Sequence, residues 1–160
     1  MKKIPKRRRI ENKTDYKLRL GLLKSKVPRI VIRRTNRYII VQLVETQEGK
    51  DIIKKGCTSK ELLNQGWDEK FKGSLKSISA AYLTGLLMAK KIEKGEYILD
   101  IGIAKHKAGS RIYAVAKGLS DGGLKIRADP SIFPPEERLS GKHLKENVSA
   151  TIQKLKSKLK

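Results

Sequence analysis

The stretch PRIVIRRTNRYIIVQLV, residues 28–44, sets the architecture of the chain. Two runs of β-branched and other apolar residues, at 30–32 and 38–44, flank the polar Thr35-Asn36-Arg37, a pattern typical of a β-hairpin. The second run is apolar at every position except Gln42. Because a half-exposed strand alternates apolar and polar residues, a near-continuous run predicts a strand that is covered on both faces. We therefore expect this hairpin at the centre of a sheet with helices on both sides.

The segments that follow the hairpin extend the sheet. The segment 51–59 is short and rich in lysine, which is typical of an edge strand, and it completes an antiparallel meander. Apolar residues at steps of three and four predict the main helix over 74–94, with Ser74 as its N-cap and Gly95 as its C-cap. A strand at 97–103 then follows a connection long enough for parallel pairing through a right-handed crossover. Further helices are predicted at 15–25, 59–66 and 111–119, and within 140–160.

These elements predict an α/β fold. We expect a three-layer, ribonuclease-H-like mixed sheet, made of an antiparallel meander plus a parallel strand, with helices on both faces and basic terminal extensions. The predicted organisation is a basic N-terminal arm at 1–13, an α/β RNA-binding domain at 14–128, and an irregular segment with a basic C-terminal helix at 129–160. The irregular part is indicated by its three prolines.

The charge balance of the chain points to a polyanionic partner. Its 160 residues contain 38 Lys and Arg against 16 Asp and Glu, a net charge of +22. A compact monomer with this excess repels itself, so we expect nucleic acid, or secondly an anionic membrane surface, to neutralise it. No apolar run is long enough for a transmembrane helix, and the N-terminus lacks the apolar stretch of a secretory signal. A single cysteine excludes an intrachain disulfide, and together these features predict a soluble, intracellular protein.

Basic residues concentrate in the N-terminal arm, around the hairpin turn and in the loop at 105–110. This loop joins a predicted strand to a predicted helix, so it presents free backbone N–H groups and the positive end of a helix dipole, which suit a phosphate. Arginine at the hairpin offers planar, bidentate contacts to phosphate. Cations spread over an arm, a turn, a loop and a tail suit a folded RNA gripped from several sides. RNA is therefore favoured over DNA, for which no binding motif is visible.

A ribonuclease-H-like nuclease is the alternative from a different functional class. Two-metal phosphoryl chemistry needs several carboxylates around ions held about 4 Å apart. The first strand offers only arginine, the long helix has no acid over 78–89, and Asp100 is the lone well-placed carboxylate. His106 and His143 lack metal-ligand spacing to the single cysteine, and no nucleotide-binding motif occurs. We therefore expect no catalysis, no bound metal or cofactor, and no small-molecule substrate. A third hypothesis, a membrane-surface protein, would use the amphipathic helix at 142–160.

Four segments together resemble a known family. DYKLRLGLLKSKVPRIVIRRTNRYIIVQLV at 15–44, AAYLTGLLMAKK at 80–91, ILDIGI at 98–103 and FPPEERLSGKHL at 133–144 are similar to the archaeal-type large-subunit ribosomal protein that binds 5S rRNA, the family of bacterial large-subunit protein eighteen. The resemblance implies a non-catalytic α/β protein in the central protuberance, in the cytoplasmic ribosome. It implies contacts to 5S rRNA, 23S rRNA and neighbouring large-subunit proteins, and no membrane.

The resemblance also bears on individual residues. The family's RNA-facing hairpin turn, of Ser-Asn-Lys type, corresponds to Thr35-Asn36-Arg37, and its basic loop to 105–111. From the charge pattern and the resemblance together, we predict a set of RNA-binding residues. They are Lys2, Lys3, Lys6, Arg7, Arg8, Arg9, Lys13, Tyr16, Arg19, Arg29, Arg33, Arg34, Asn36, Arg37, Lys105, His106, Lys107, Ser110 and Arg111.

Overall fold

A computed structural model of the chain describes residues 4–143 and 146–159, and for residues 146 and 147 the backbone alone. Seven helices and five strands make up these ranges, joined by short 3₁₀ turns. The helices are α1 (Arg7–Ile10), α2 (Tyr16–Lys24), α3 (Leu62–Gln65), α4 (Ile78–Lys91), α5 (Arg111–Asp121), α6 (Glu136–Ser140) and α7 (Glu146–Leu159). The strands are β1 (Arg29–Arg34), β2 (Ile39–Gln47), β3 (Lys50–Thr58), β4 (Glu96–Asp100) and β5 (Lys125–Ile126).

The strands form one mixed sheet in the order β3-β2-β1-β4-β5. β1 pairs with β2 and β2 with β3 in antiparallel fashion, while β4 runs parallel to β1 and β5 parallel to β4. The predicted hairpin, meander, edge strand and parallel strand are all confirmed. β5 is an addition, because the sequence pattern predicts no strand at residues 125–126. The central hairpin, β1 and β2, thus lies in the middle of the sheet, with β3 on one side and β4 and β5 on the other.

Helices α4 and α5 cover one face of the sheet and form the core with it. Residues 79–89 of α4 are buried throughout, because this helix lies between the sheet on one side and α6 and α7 on the other. α4 and α5 cross at two glycines, Gly85 and Gly118. A Cβ on Gly85 would overlap the carbonyl oxygen of Val115, and a Cβ on Gly118 would overlap that of Tyr82. The small residues therefore set how closely these two helices approach.

The other face of the sheet is only partly covered. Helix α2 lies over it, capped by the Asp15 side chain and joined to β3 by an ion pair between Arg19 and Asp51. On β2, the side chains that face α4 and α5 are buried, whereas Ile40 and Gln42 on the opposite face are half-buried. The strand is expected to be covered on both faces, but only the face toward α4 and α5 is fully covered. The other face is only partly covered because α2 spans only nine residues.

Two boundaries differ from the prediction because local hydrogen bonds make α4 begin later and β4 end earlier than predicted. α4 begins after Ser77, whose side chain accepts from the Ala80 N–H, while the Ser74 hydroxyl donates to a carbonyl in the preceding 3₁₀ turn. β4 ends at Asp100, whose carboxylate accepts from the N–H of Gly102, a residue with a φ of +63°. The predicted helix over 74–94 and strand over 97–103 are both shorter in the structure.

The C-terminal part of the chain is more ordered than the sequence indicates. A short helix, α6, occupies part of the segment predicted to be irregular. The predicted C-terminal helix is confirmed as α7, while Leu144, which the helical period of the apolar residues places on the same stripe, lies outside the described residues. Ile152, Leu155 and Leu159 of α7 are buried in the core that surrounds α4. The apolar face of this helix is therefore occupied within the molecule.

Candidate nucleic-acid interface

The site is built on the edge of the sheet where β1 and β4 end. Since these strands are parallel and β2 returns antiparallel to β1, this edge holds the hairpin turn at 35–38, the loop at 101–110 and the first turns of α4 and α5. Carboxyl ends of parallel strands are the usual place for ligand sites in α/β sheets. We call this surface the basic edge. Its cationic side chains are Arg33, Arg34, Arg37, Lys72, Lys76, Lys105, Lys107, Arg111 and Arg138.

The hairpin turn presents its polar side chains to solvent. The Thr35 N–H and hydroxyl both donate to the carbonyl of Tyr38, at 2.9 and 2.8 Å, and the Thr35 hydroxyl accepts from the Tyr38 N–H at 2.9 Å. These bonds close the turn without using Asn36 or Arg37, both of which are exposed. Arg37 has no ion pair within the described ranges. The turn therefore offers a free amide and a free guanidinium on a rigid support.

Two lysines that the sequence analysis missed lie beside this turn. Lys72 and Lys76 line a depression together with Asn36, Arg37 and Tyr38. They belong to the 3₁₀ turn before α4 and to the short link that follows it, more than thirty residues from the hairpin in sequence. The topology could have revealed these two lysines. A helix that leads into a strand parallel to β1 must begin at the end of the sheet where the hairpin turn lies, so the residues just before α4 must lie near that turn.

Arg33 is tied to the fold, in contrast to Arg37. Its guanidinium donates to a carboxylate oxygen of Asp100 at 2.9 Å and to the Asp100 carbonyl at 2.7 Å. It also packs against Gly102, where an added Cβ would stand 3.1 Å from the guanidinium carbon. The Arg33 side chain remains 43% exposed. It can meet a phosphate while it clamps β1 to the end of β4.

The loop before α5 is anchored near its end, at Gly109, and exposes its basic residues. The Gly109 N–H donates to the carbonyl of Ile132 at 2.9 Å, which anchors the loop. Lys105, His106 and Lys107 are exposed, and the His106 Nδ1 lies 2.7 Å from the Tyr113 hydroxyl. The last two predicted residues of the loop region, Ser110 and Arg111, are half-buried.

The N-terminal arm packs beside α2. It contains the short helix α1, and the ammonium of Lys6 lies 4.6 Å from the centre of the Tyr16 ring, a cation–π contact. The Arg8 guanidinium donates to Thr14 at 2.9 Å. The other predicted cations of the arm, Arg7, Arg9 and Lys13, are exposed. Lys2 and Lys3 lie outside the described residues.

Arg29 and Arg19 converge on Asp51 at the opposite edge of the sheet. Each guanidinium lies 2.8 Å from one of the Asp51 carboxylate oxygens. Burial alone would raise the pKa of Asp51, but the Thr46 hydroxyl bond and the two guanidinium groups lower it below its ordinary value. Arg29 is only 3% exposed, so an RNA phosphate cannot reach it. Its predicted RNA contact is corrected to a structural ion pair that holds β1 to β3.

The geometry does not favour the nuclease alternative. The Asp100 carboxylate is already bound by Arg33 and by the Gly102 N–H. Among the described residues, no group of three or more His, Cys, Asp or Glu could hold a metal ion. Burial, together with the charge of Glu61 and despite that of Lys91, raises the pKa of the Cys57 thiol to about 12, which leaves it protonated and unreactive.

No helix in the described part of the chain is long and apolar enough to cross a membrane. The amphipathic helix that the membrane-surface hypothesis requires is α7, and its buried apolar residues already pack around α4.

Comparison with known proteins settles the family. A family model described as ribosomal large subunit proteins 60S L5 and 50S L18 matches residues 2–96. The chain belongs to this family. A large ribosomal subunit protein uL18 from Methanoculleus marisnigri is 48% identical over 146 residues, covering 89% of this chain and 81% of the relative. The uL18 protein from Korarchaeum cryptofilum is 47% identical, over 89% of this chain and 72% of the relative.

Membership of the uL18 family confirms the resemblance seen in the sequence. The chain is an archaeal-type, structural and non-enzymatic constituent of the large ribosomal subunit, and it works in the ribosome in the cytoplasm. Association with rRNA and with ribosomal proteins follows from that place. In the basic edge, cations converge from four separate segments of the chain.

Proposed function

We propose that this uL18 protein binds 5S rRNA through the basic edge and helps to attach it to 23S rRNA in the central protuberance, beside neighbouring ribosomal proteins. The observation that carries the proposal is the hairpin turn, which presents exposed Asn36 and Arg37 next to Lys72 and Lys76. The Thr35–Tyr38 hydrogen bonds hold the backbone of the turn before binding, so less backbone entropy is lost when phosphates are contacted.

The binding mechanism that we propose is release of counterions combined with fit to the shape of the RNA. If the protein makes six to ten phosphate contacts, raising the salt concentration from about 50 to about 200 mM should lower its RNA affinity roughly a thousandfold or more. The N-terminal arm, which is exposed over its described residues 4–13, and the lysine-rich tail add diffuse neutralisation, while the arginines of the basic edge supply bidentate contacts. The remaining predicted contact residues, Tyr16 and Arg19, border the arm on α2.

We also infer that the sheet is of the ribonuclease-H-like type. Two features support this inference, the strand order β3-β2-β1-β4-β5 and the parallel pairing of β4 with β1. In this arrangement β1 carries arginine where the first strand of such a nuclease would supply a catalytic acid, and the fold serves as an RNA-binding scaffold.

The test is binding of the full chain to 5S rRNA in the presence of excess tRNA, across a range of salt concentrations and with Mg²⁺ present. We expect tight binding that resists tRNA and is weakened by the double substitution Arg37→Ala with Lys72→Ala. The matched control is Lys24→Ala with Lys125→Ala, which removes the same charge from exposed positions. Equal affinity for both RNAs, or equal effects of the two double variants, would refute the proposal. Shortening of the RNA during the assay would support the nuclease alternative instead.

Attachment to 23S rRNA needs a separate measurement. We expect 5S rRNA to co-sediment with 23S rRNA only when the protein is added. Co-sedimentation that is independent of the protein would contradict the second half of the proposal.

A further inference from the structure

A cavity of about 460 Å³ opens on the basic edge between the first turns of α4 and α5. Four chain segments line it, and they are distant in sequence: the end of β1, the start of α4, the loop before α5, and α6 with the turn that follows it. Its polar lining residues are Arg34, Ser77, Ser79, Lys107, Ser110, Arg111, Arg138 and His143.

The charge of this cavity has one sign. Four of its lining residues are Arg or Lys, and no Asp or Glu lines it. None of the four cationic side chains, Arg34, Lys107, Arg111 and Arg138, has an ion pair within residues 4–143 and 146–159. By contrast, the larger cavity beside α2 is lined by two cations and two carboxylates. Like charges held together without a partner indicate a site for an anion.

The cavity also contains a buried hydroxyl without a partner. Ser110 is the N-cap residue of α5, yet its side chain makes no capping bond, and its Oγ is buried without a hydrogen-bond partner in the described part of the chain. The corresponding residue of α4, Ser77, does accept from the Ala80 N–H. Buried polar groups are normally satisfied, so the Ser110 hydroxyl is available to donate to an anion that enters this cationic cavity.

Two helix dipoles add to the same field. α4 has 14 residues and α5 has 11, and the positive ends of both face this cavity. Each contributes about half of a positive charge at its N-terminus. The hydroxyl of Ser79 donates to the Arg138 carbonyl at 3.1 Å, which holds α6 against the start of α4 and so closes the cavity on that side.

We infer that this cavity binds one phosphate group of the rRNA backbone, held by Arg111 and Arg138 and capped by the Ser110 hydroxyl. The inference rests on the proposed function, since rRNA supplies the phosphate, and it assigns Arg138 of the basic edge a specific phosphate contact beside Arg111. A phosphodiester oxygen would fulfil the role that the Ser110 side chain leaves open at the first turn of α5.

The first test measures the RNA affinity of the full chain against salt concentration. For Arg111→Ala with Arg138→Ala, which removes one phosphate contact, we expect the slope of log K against log salt to fall in magnitude by about 1, and the Kd to rise roughly tenfold or more. The control with Lys24→Ala and Lys125→Ala should lose clearly less. If the two double variants behave alike while 5S rRNA is still preferred over tRNA, the cavity is refuted and the proposed function stands.

The second test uses inorganic phosphate and reads the backbone amides by ¹H–¹⁵N NMR. We expect saturable shifts at 78–80 and 110–113 in the wild type, relative to chloride at equal ionic strength. These shifts should disappear in the variant with Arg111→Ala and Arg138→Ala. Shifts scattered over all the basic segments would overturn the site. Saturable phosphate binding with no effect of the variant on RNA affinity would assign the cavity to free phosphate and overturn the rRNA inference.

If neither RNA is preferred but the slope still falls for the cavity variant, the proposed specificity for 5S rRNA fails and the cavity is retained as a general site for RNA phosphate. Ser110→Ala separates the hydroxyl from the charges. It removes no charge, so it should weaken binding several-fold without a change in the salt slope. An unchanged affinity would contradict the capping role of Ser110.

Discussion

Replacing Gly85 by Ala tests how closely α4 and α5 must approach. The new Cβ would overlap the Val115 carbonyl oxygen and stand 3.1 Å from the Gly118 Cα, where both neighbours are backbone atoms that cannot rotate away. The helices must therefore separate, and overpacking of this kind costs about 3 kcal/mol. Alanine returns about 1 kcal/mol through its higher helix propensity, so we expect a net loss of roughly 2 kcal/mol.

The assay is urea and thermal unfolding of Gly85→Ala, Gly118→Ala and the double variant. A loss of roughly 2 kcal/mol corresponds to a Tm lower by about 4 to 8 °C for a chain of this size. The double variant should lose less than the sum, because one alanine already separates the helices. The control is Gly21→Ala in α2, where an added Cβ meets no atom within 4 Å, so this variant should gain stability. Equal effects of Gly85→Ala and Gly21→Ala would refute the reasoning.

Three further predictions concern groups away from the RNA surface. Asp51→Asn should lower the free energy of unfolding by about 3 kcal/mol at pH 7, because it leaves buried Arg29 without its counter-charge. Since the pKa of Asp51 is lowered from its ordinary 3.8, the stability difference between wild type and variant should persist above that pH and vanish as acid protonates Asp51 in the wild type. Urea unfolding from pH 2 to 7 measures it. Cys57, with its pKa raised to about 12, should resist a thiol reagent at pH 8 in the folded protein and react in urea; fast labelling of the native protein would contradict its burial. Leu155→Ala should destabilise the protein by about 2 to 5 kcal/mol in thermal unfolding, and a neutral effect would show that α7 does not complete the core.

The sequence predicts the central hairpin well because its signals are local. β-branched runs and a polar turn act within seventeen residues, and the structure has strands and turn at those positions. The boundaries of α4 and β4 depend instead on single side-chain bonds at Ser77 and Asp100, which compete with equally plausible residues nearby. Elements as short as β5 and α6 carry too few residues for a period to appear.

The candidate site was harder to predict, because charge alone does not reveal exposure. Arg29 and Arg37 look equivalent in the sequence, yet Arg29 is buried against Asp51, twenty-two residues away, and Arg37 is exposed. Strand alternation places Arg29 on the face that α2 covers, and only the sheet register reveals the acid that pairs with it. Arg138 joins the cavity for a similar reason, since its position depends on how α6 packs against α4.

The position of α7 against α4 has a consequence for biosynthesis. Translation makes α4 first, and the chain from the end of α4 at Lys91 to the start of α7 at Glu146 must be added before the outer layer can close. At ordinary elongation rates, about 5 to 20 residues per second, that interval lasts several seconds. During it the nascent chain carries an uncovered apolar helix beside a strongly cationic surface. Chaperones that act at the ribosome exit are therefore expected to engage this protein just before its last helix emerges.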